Sequence, residues 1–390
     1  MTSLEAHIAL NMIDGVGPAT YAKLRAALGD AVNIFSATES QLSNITGITA
    51  ETAAAILNWE STVDLNAEIR RIQNTGCHVI LKEDEEYPKL LKQIYNPPFL
   101  LYVRGQILPQ DHNSIAIVGS RLTTLYGIET AQKFAQQLAY AGITVVSGGA
   151  RGIDTAAHKG ALNSKGRTIS VLGNGINVVY PAENVKLFEE ISQNGAVISQ
   201  FPMSYSGNRN TYSIRNRIVA GMTLGTLVVE ANQTSGALIT AGLAAEMNRQ
   251  VFAIPGRIDS PRSSGCNRLI KEGAKLCDDI QDILSEFEYL SGFQPASAPQ
   301  QQMSPLRDEK LPVQDEIPFT LPTTATVPLN IKLTPQETTV LDAVTFEEQH
   351  IDVLIQKTSL PTHVVLSALC GLELKKQVQQ LPGKLYRRRK

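Results

Sequence analysis

The stretch Ser147-Gly148-Gly149-Ala150-Arg151-Gly152-Ile153-Asp154 follows directly on the apolar run Ile143 to Val146. A buried strand that breaks into glycines and then opens a helix is how α/β proteins build a phosphate cradle. Without side chains at Gly148, Gly149 and Gly152, backbone N–H groups can approach an anion closely. The helix that follows aims its positive dipole end at the same point. Arg151 adds a fork-shaped cation there. Alone, the turn is equally consistent with a tight bend that uses glycine for positive φ, so its neighbours decide the reading.

Two further corners of the same kind flank it. Upstream, Ile115-Ala116-Ile117-Val118 runs into Gly119-Ser120-Arg121 before a helical stretch from Thr124 to Ala141. Downstream, Thr168 to Leu172 ends in Gly173-Asn174-Gly175. In a parallel sheet the carboxyl ends of the strands share one edge, so three such corners converge on a crevice at a topological switch point. The fold class that follows is α/β, a Rossmann-like and mostly parallel sheet.

Phe201-Pro202 and Tyr212-Ser213-Ile214-Arg215-Asn216-Arg217 bring two guanidinium groups, an amide and aromatic rings close together in the chain. Arginines two apart share a helix face only where they straddle its first turn, so the loop-to-helix junction is expected there. Taken alone, the stretch also reads as a solvated helix face with ordinary arginines. Charge counting favours the first reading. No acidic residue occurs from Ser192 to Val229, and His112 to Val229 carries ten Lys and Arg against five Asp and Glu. That is a basic core inside a chain of net charge −2.

The blocks GSR (119 to 121), YG (126 to 127), SGGARGIDTAAHKGAL (147 to 162), VLGNG (171 to 175), YPAEN (180 to 184), RNRIVAG (215 to 221), VVEANQTSGALITA (228 to 241), VFAIPG (251 to 256) and SSGCNRLIKEGA (263 to 274) together resemble the DNA-processing protein A family, DprA or Smf. The resemblance covers Gly76 to Leu284 in unbroken order. It implies a Rossmann-like domain that binds single-stranded DNA in a basic pocket. It also implies a dimer that protects incoming DNA and loads the RecA recombinase in natural transformation. Carried over residue by residue, it assigns DNA binding to Gly119, Ser120 and Arg121, to Ser147, Gly148, Gly149 and Arg151, and to Tyr212, Arg215, Asn216 and Arg217. Backbone amides and arginines would hold phosphates, and the Tyr212 ring would stack a base whatever its identity. The chain departs from the family where Phe-Pro precedes RNR by one residue, since Tyr212-Ser213 stands there. The aromatic face is kept and the stiffening proline is lost. Asn248-Arg249 stands where Gly-Arg is commoner.

Hydrophobic content of 43% and charged content of 18% over 390 residues describe a globular chain of two or three domains. No apolar run has the length of a membrane span, and Met1 to Leu10 lacks a basic start and a long apolar region, so a cytoplasmic protein without membrane contact is expected. The four cysteines and six histidines have no paired spacing, which supports neither a disulfide framework nor a zinc site, and no cofactor is implied. An all-α domain over 1–70 would hold two helix-hairpin-helix patterns of SAM-like type, Gly15-Val16-Gly17-Pro18 before the helix Ala19 to Leu28 and Gly47-Ile48-Thr49 before Ala50 to Trp59. These either present N–H groups to a DNA phosphate or simply pack. The excess of thirteen acids over eight bases in Met1 to Asp111 favours packing. The core would span 71–287. A proline-rich linker over 288–330 would lead to a winged-helix domain over 331–390, with Thr334 as N-cap, Pro335 at the first helical position and a wing around Leu381 to Tyr386. That domain could contact duplex or protein.

The rival class is a nucleotide-binding Rossmann-like enzyme of phosphoribohydrolase type, with Glu230 as catalytic carboxylate and His158 as acid or base. No pair of carboxylates clusters at the corners. Asp154 reads as a helix cap or a partner of Arg151. A binding protein without enzymatic activity is therefore the expectation.

Overall fold

The computed structural model describes residues 1–289, 333–381 and 385–388. They fall into two compact units, one holding the described residues through Tyr289 and the other those from Leu333 onward. Apart from Glu288 and Tyr289, the linker expected over 288–330 lies outside the described residues.

Nine strands build the first unit: β1 Cys77–Leu81, β2 Leu100–Gly105, β3 Ser114–Val118, β4 Thr144–Ser147, β5 Thr168–Val171, β6 Gly195–Ser199, β7 Gly225–Val228, β8 Gln250–Ala253 and β9 Lys275–Leu276. Their order is β1-β2-β6-β5-β4-β3-β7-β8-β9. The seven strands from β6 to β9 are mutually parallel, and β1 and β2 close one edge antiparallel. Burial on both faces explains why the strands read as continuous apolar runs. Ile115, Ile117 and Val145 pack with Phe134, Leu138 and Ile153 on one side. Ala116, Val118 and Val146 pack with Ile218, Val219 and Ala237 on the other. Helices Leu125–Tyr140 and Ile153–Asn163 thus cover one face, and Arg209–Gly221 and Gly236–Glu246 cover the opposite one.

At the amino edge, buried Asp111 draws the starts of β4 and β5 together. It accepts Thr144 Oγ1 at 2.7 Å and Arg167 Nε and Nη2 at 2.8 and 2.9 Å. The amino-terminal helices, from Ser3–Met12 to Leu65–Asn74, share a hydrophobic cluster with Phe99, Tyr102, Leu172 and Met203 of the sheet region. Tyr21 stacks on Phe99 with ring centroids 4.1 Å apart. Glu68, 1% exposed, accepts the Met203 N–H at 2.6 Å, and Asn11 Nδ2 donates to the Gln200 carbonyl at 3.0 Å. This layer therefore fixes the segment that leads from β6 into the Arg209–Gly221 helix. Asn248 has φ +54°, a left-handed conformation that asparagine tolerates in place of glycine.

In the second unit, helices Pro335–Ala343, Ile351–Thr358 and Thr362–Leu374 surround Val340, Leu354, Val365, Leu369 and Leu372. Strands Gln349–His350, Val378–Leu381 and Leu385–Arg388 form an antiparallel sheet. Thr334 caps the first helix by accepting the Glu337 N–H at 3.2 Å, and Pro335 occupies its first position, as expected from the sequence. The α/β core and winged-helix architecture are thus both present. The turn of the wing, 382–384, lies outside the described residues.

His158 sits fully buried under its helix. The Thr168 hydroxyl donates to the Val145 carbonyl at 2.7 Å, so the 2.7 Å contact to His158 places the imidazole proton on Nδ1 and leaves Nε2 bare. Burial, aided by Arg215, holds the His158 pKa down at about 3. In the unfolded chain it lies near ~6.5. Below that value the unfolded state takes up a proton that the fold refuses, and stability falls as pH drops towards about 3. His158→Gln should flatten the acid limb of urea-unfolding stability between about pH 6 and pH 4 by up to ~1.4 kcal/mol per pH unit. An unchanged slope would show that His158 is not held neutral. Asp111→Ala should lower unfolding free energy by about 3 kcal/mol, because it strands the Arg167 guanidinium and the Thr144 hydroxyl.

Candidate nucleic-acid interface

The strand order reverses between β3 and β7: β4, β5 and β6 lie to one side of β3, and β7, β8 and β9 to the other. The helices that follow β3 and β7 leave on opposite faces, and a crevice opens at the carboxyl ends between them. Its cavity measures about 730 Å³ and is lined by Gly119, Ser120, Arg121, Tyr212, Arg215 and Asn216 among the residues expected from the sequence.

The Arg121 loop is held by the neighbouring strand. Ser120 N donates to the Glu230 carbonyl at 2.7 Å. The buried Glu230 carboxylate accepts Thr123 Oγ1 at 2.6 Å, Thr124 N at 2.9 Å and Thr124 Oγ1 at 2.6 Å. Thr124 in turn caps the Leu125–Tyr140 helix through the Gly127 N–H at 3.1 Å. Glu230 is thus engaged as an anchor, and His158 is enclosed in the core. Neither candidate for acid or base chemistry lines the crevice.

Exposed Arg121 lies over the Tyr212 ring, with Cζ 5.4 Å from its centroid. Tyr212 in turn meets Tyr180 at 6.0 Å between centroids, and Arg151 lies 5.9 Å from the Tyr180 ring centre. Two aromatic rings therefore stand between two cations, in the order Arg121, Tyr212, Tyr180 and Arg151. The half-buried Tyr212 ring leans on Gly173, where an added Cβ would come within 2.6 Å of Cδ1.

The glycine turn differs from its expected role. Gly148 and Gly149 are buried, and a side chain at Gly148 would collide with the guanidinium of Arg215. Asp154 accepts the Ala150 N–H at 3.3 Å and stands 3.9 Å from Arg215 Nη1. The cradle therefore holds the protein's own carboxylate and guanidinium. Burial raises the Asp154 pKa against the pull of Arg215 and the Ala150 N–H, and it lowers that of Arg215 against the pull of Asp154. Asp154 does not pair with Arg151, whose Nη2 instead binds Glu183 Oε2 at 2.9 Å.

The loop-to-helix junction also falls elsewhere than expected. Asn208 caps the helix through the Asn210 and Thr211 N–H groups at 2.9 and 3.1 Å, about two turns or more before the arginines. Arg215 and Arg217 consequently diverge within a formed helix. Arg215 turns inward, while Arg217 stands beside the crevice and donates to the Tyr95 carbonyl. Ser147 is buried and donates to the Ile117 carbonyl at 2.6 Å. Of the expected residues, Ser147, Gly148, Gly149, Arg151 and Arg217 lie outside the cavity lining.

Sequence reasoning missed Arg209, Arg262 and the start of the Gly236–Glu246 helix, all of which line the crevice. Arg121, Arg209 and Arg262 are exposed and make no ion pair among the described residues, and buried Asp154 is the one carboxylate in the described lining. At the helix start, Ser235 Oγ accepts the Ala237 N–H at 3.3 Å, and Asn232 Oδ1 accepts the Thr234 N–H at 3.1 Å. Ser235-Gly236 at a strand-to-helix corner was the available signal for this third wall. Arg209 lies in the acid-free stretch three residues before Tyr212, whereas nothing local in the sequence brings Arg262 here. Such a cavity offers fixed cations, a helix N-terminus and an aromatic face to an anionic, ring-bearing ligand.

Known proteins resemble the chain in its sequence and in its fold. The family model described as DNA recombination-mediator protein A matches residues 78–288, and the DprA winged helix domain model matches 324–384. Protein Smf of Synechocystis sp. is 33% identical over 98% of this chain and 98% of its own length. The DNA processing protein DprA of Streptococcus pneumoniae is 42% identical over 53% of this chain and 73% of its own. The X-ray structure of DNA processing protein A from Streptococcus pneumoniae superposes with a TM-score of 0.65 at 33% identity, covering 74% of this chain and 99% of that one. With the core and the winged helix both matched, the chain belongs to the DNA recombination-mediator protein A family, the DprA or Smf proteins.

Proposed function

We propose that the chain binds single-stranded DNA in the switch-point crevice and acts as a recombination mediator. In that role it protects incoming DNA and loads a RecA-type recombinase during natural transformation, as a cytoplasmic homodimer and not as an enzyme. One observation carries the binding reading: three arginines with no ion pair among the described residues line one cavity with the Tyr212 ring, and the only carboxylate in the described lining is buried against Arg215. Phosphates would contact Arg121, Arg209 and Arg262, with the Ser235-Gly236 helix start beside them. A base would stack on Tyr212. A base reaches a ring only when unstacked, so a duplex must first lose a few kcal/mol and single strands are favoured. Several copies bound along one strand would then offer a surface on which the recombinase nucleates.

Fluorescence anisotropy with labelled single-stranded and duplex oligonucleotides tests this reading. Single strands should bind more tightly, and affinity should fall with salt. Arg121→Ala should weaken binding and reduce the slope of log K against log salt by about 0.7, the share of one phosphate contact on a single strand. Equal affinity for duplex, or wild-type binding by Arg121→Ala and Tyr212→Ala, would rule out the crevice. Because the winged helix is a separate compact unit, deleting Lys332 to Lys390 should leave most single-strand affinity in place. Loss of binding on that deletion would move the site to the winged helix.

A further inference from the structure

Tyr95 is the most exposed tyrosine ring among the described residues, at 84%. Its loop is nonetheless held from three sides. On its amino side, Leu91 and Ile94 are buried against Ile218, Val219 and Met222 of the crevice helix. On its carboxyl side, Asn96 takes a left-handed φ of +49°, and the buried Tyr87 hydroxyl donates to the Pro98 carbonyl at 2.7 Å. Its own carbonyl accepts from Arg217, on the same helix as Tyr212. An aromatic ring placed in solvent on an anchored backbone is open on its face to a stacking partner and costs little to order.

The helix supplies the geometry. Ser213 and Asn216 line the crevice, and Arg217 follows them on the exposed side of the helix. Arg217 lies five positions after Tyr212, which is about 7.5 Å along the axis at ~1.5 Å per residue. A strand leaving the crevice across Ser213 and Asn216 therefore arrives at Arg217 and at the Tyr95 loop that it holds. The track also has an end. Asn96 and Pro97 continue into a groove of about 420 Å³ with Arg25 and Lys82, but the adjoining run Glu83-Asp84-Glu85-Glu86 opposes a phosphodiester chain.

We infer that Tyr95 is a second stacking platform for single-stranded nucleic acid, outside the crevice, with Arg217 as the residue that positions its loop. Resting on the proposed single-strand binding, this inference sets the length of strand that one protein copy occupies. It also gives Arg217 a role apart from the crevice.

The test compares the affinities of wild type, Tyr95→Ala, Tyr95→Phe and Arg121→Ala for oligothymidylates of about four to about twelve nucleotides. A 2-aminopurine moved stepwise along the longest oligonucleotide reports stacking by quenching. Wild type should gain affinity with length up to a plateau. Tyr95→Ala should lose roughly 5- to 150-fold on the long oligonucleotides, with a much smaller change on the shortest, and should abolish one quenched position. Tyr95→Phe should restore both signals, because the ring is kept. Wild-type behaviour of Tyr95→Ala at every length, while Arg121→Ala binds weakly, would overturn this inference alone. Wild-type behaviour of both variants would instead overturn the single-strand crevice beneath it. A Tyr95→Ala defect accompanied by loss of dimer mass in sedimentation would assign the ring to a protein interface and equally reject the platform.

Discussion

The contact between Arg215 and Asp154 crosses the carboxyl edge of the sheet. Arg215 comes from the helix on one face and Asp154 from the first turn of the helix on the other. Strand edges in α/β proteins gape at the switch point, and here the gap is bridged by one buried pair seated on Gly148. Each partner is costly to bury alone, so removing either leaves an uncompensated charge, and the two helices are bound to one relative position. Tyr212 is on the Arg215 helix and Ala150 next to the Asp154 turn. The pair thus ties together two walls of the crevice, the one that carries Tyr212 and the one that carries Ala150.

Much of this was legible in the sequence. The strands β3, β4 and β5 were visible because both faces are buried, which makes them continuous apolar runs ending in glycine. Gly119-Ser120-Arg121 is legible because the end of a strand is a local property, whereas Tyr212 is reached through the family resemblance. Misreadings arose where side-chain direction mattered. The glycine turn looks identical whether it greets a ligand or the chain's own Arg215, since the difference lies in a contact sixty-seven residues away. Arg215 and Arg217 were read as one cationic unit, but a helix that starts at Asn208 sends them apart. Arg262 reaches the crevice through a loop after β8, and no periodicity foretells that.

The amino-terminal helices illustrate a different limit. Their turns and starts were readable, with Thr49 capping one helix and Pro18 opening another. Their purpose was not. Glu68 and Asn11 hold the segment Gln200 to Met203 that delivers the chain to the Arg209–Gly221 helix. The surplus of acidic residues in this layer is thus compatible with a role in building the basic site without touching its ligand.

Glu230 secures the Arg121 loop with three side-chain hydrogen bonds before any ligand arrives. Ordering a loop and a long side chain on binding costs affinity, and here the loop part of that cost is already met by folding. In the proposed encounter with a single strand, the larger entropy loss would then fall on the flexible strand. Association would select for strands that are already extended. Secondary structure in the nucleic acid, rather than its base sequence, would be the property to which such binding responds most.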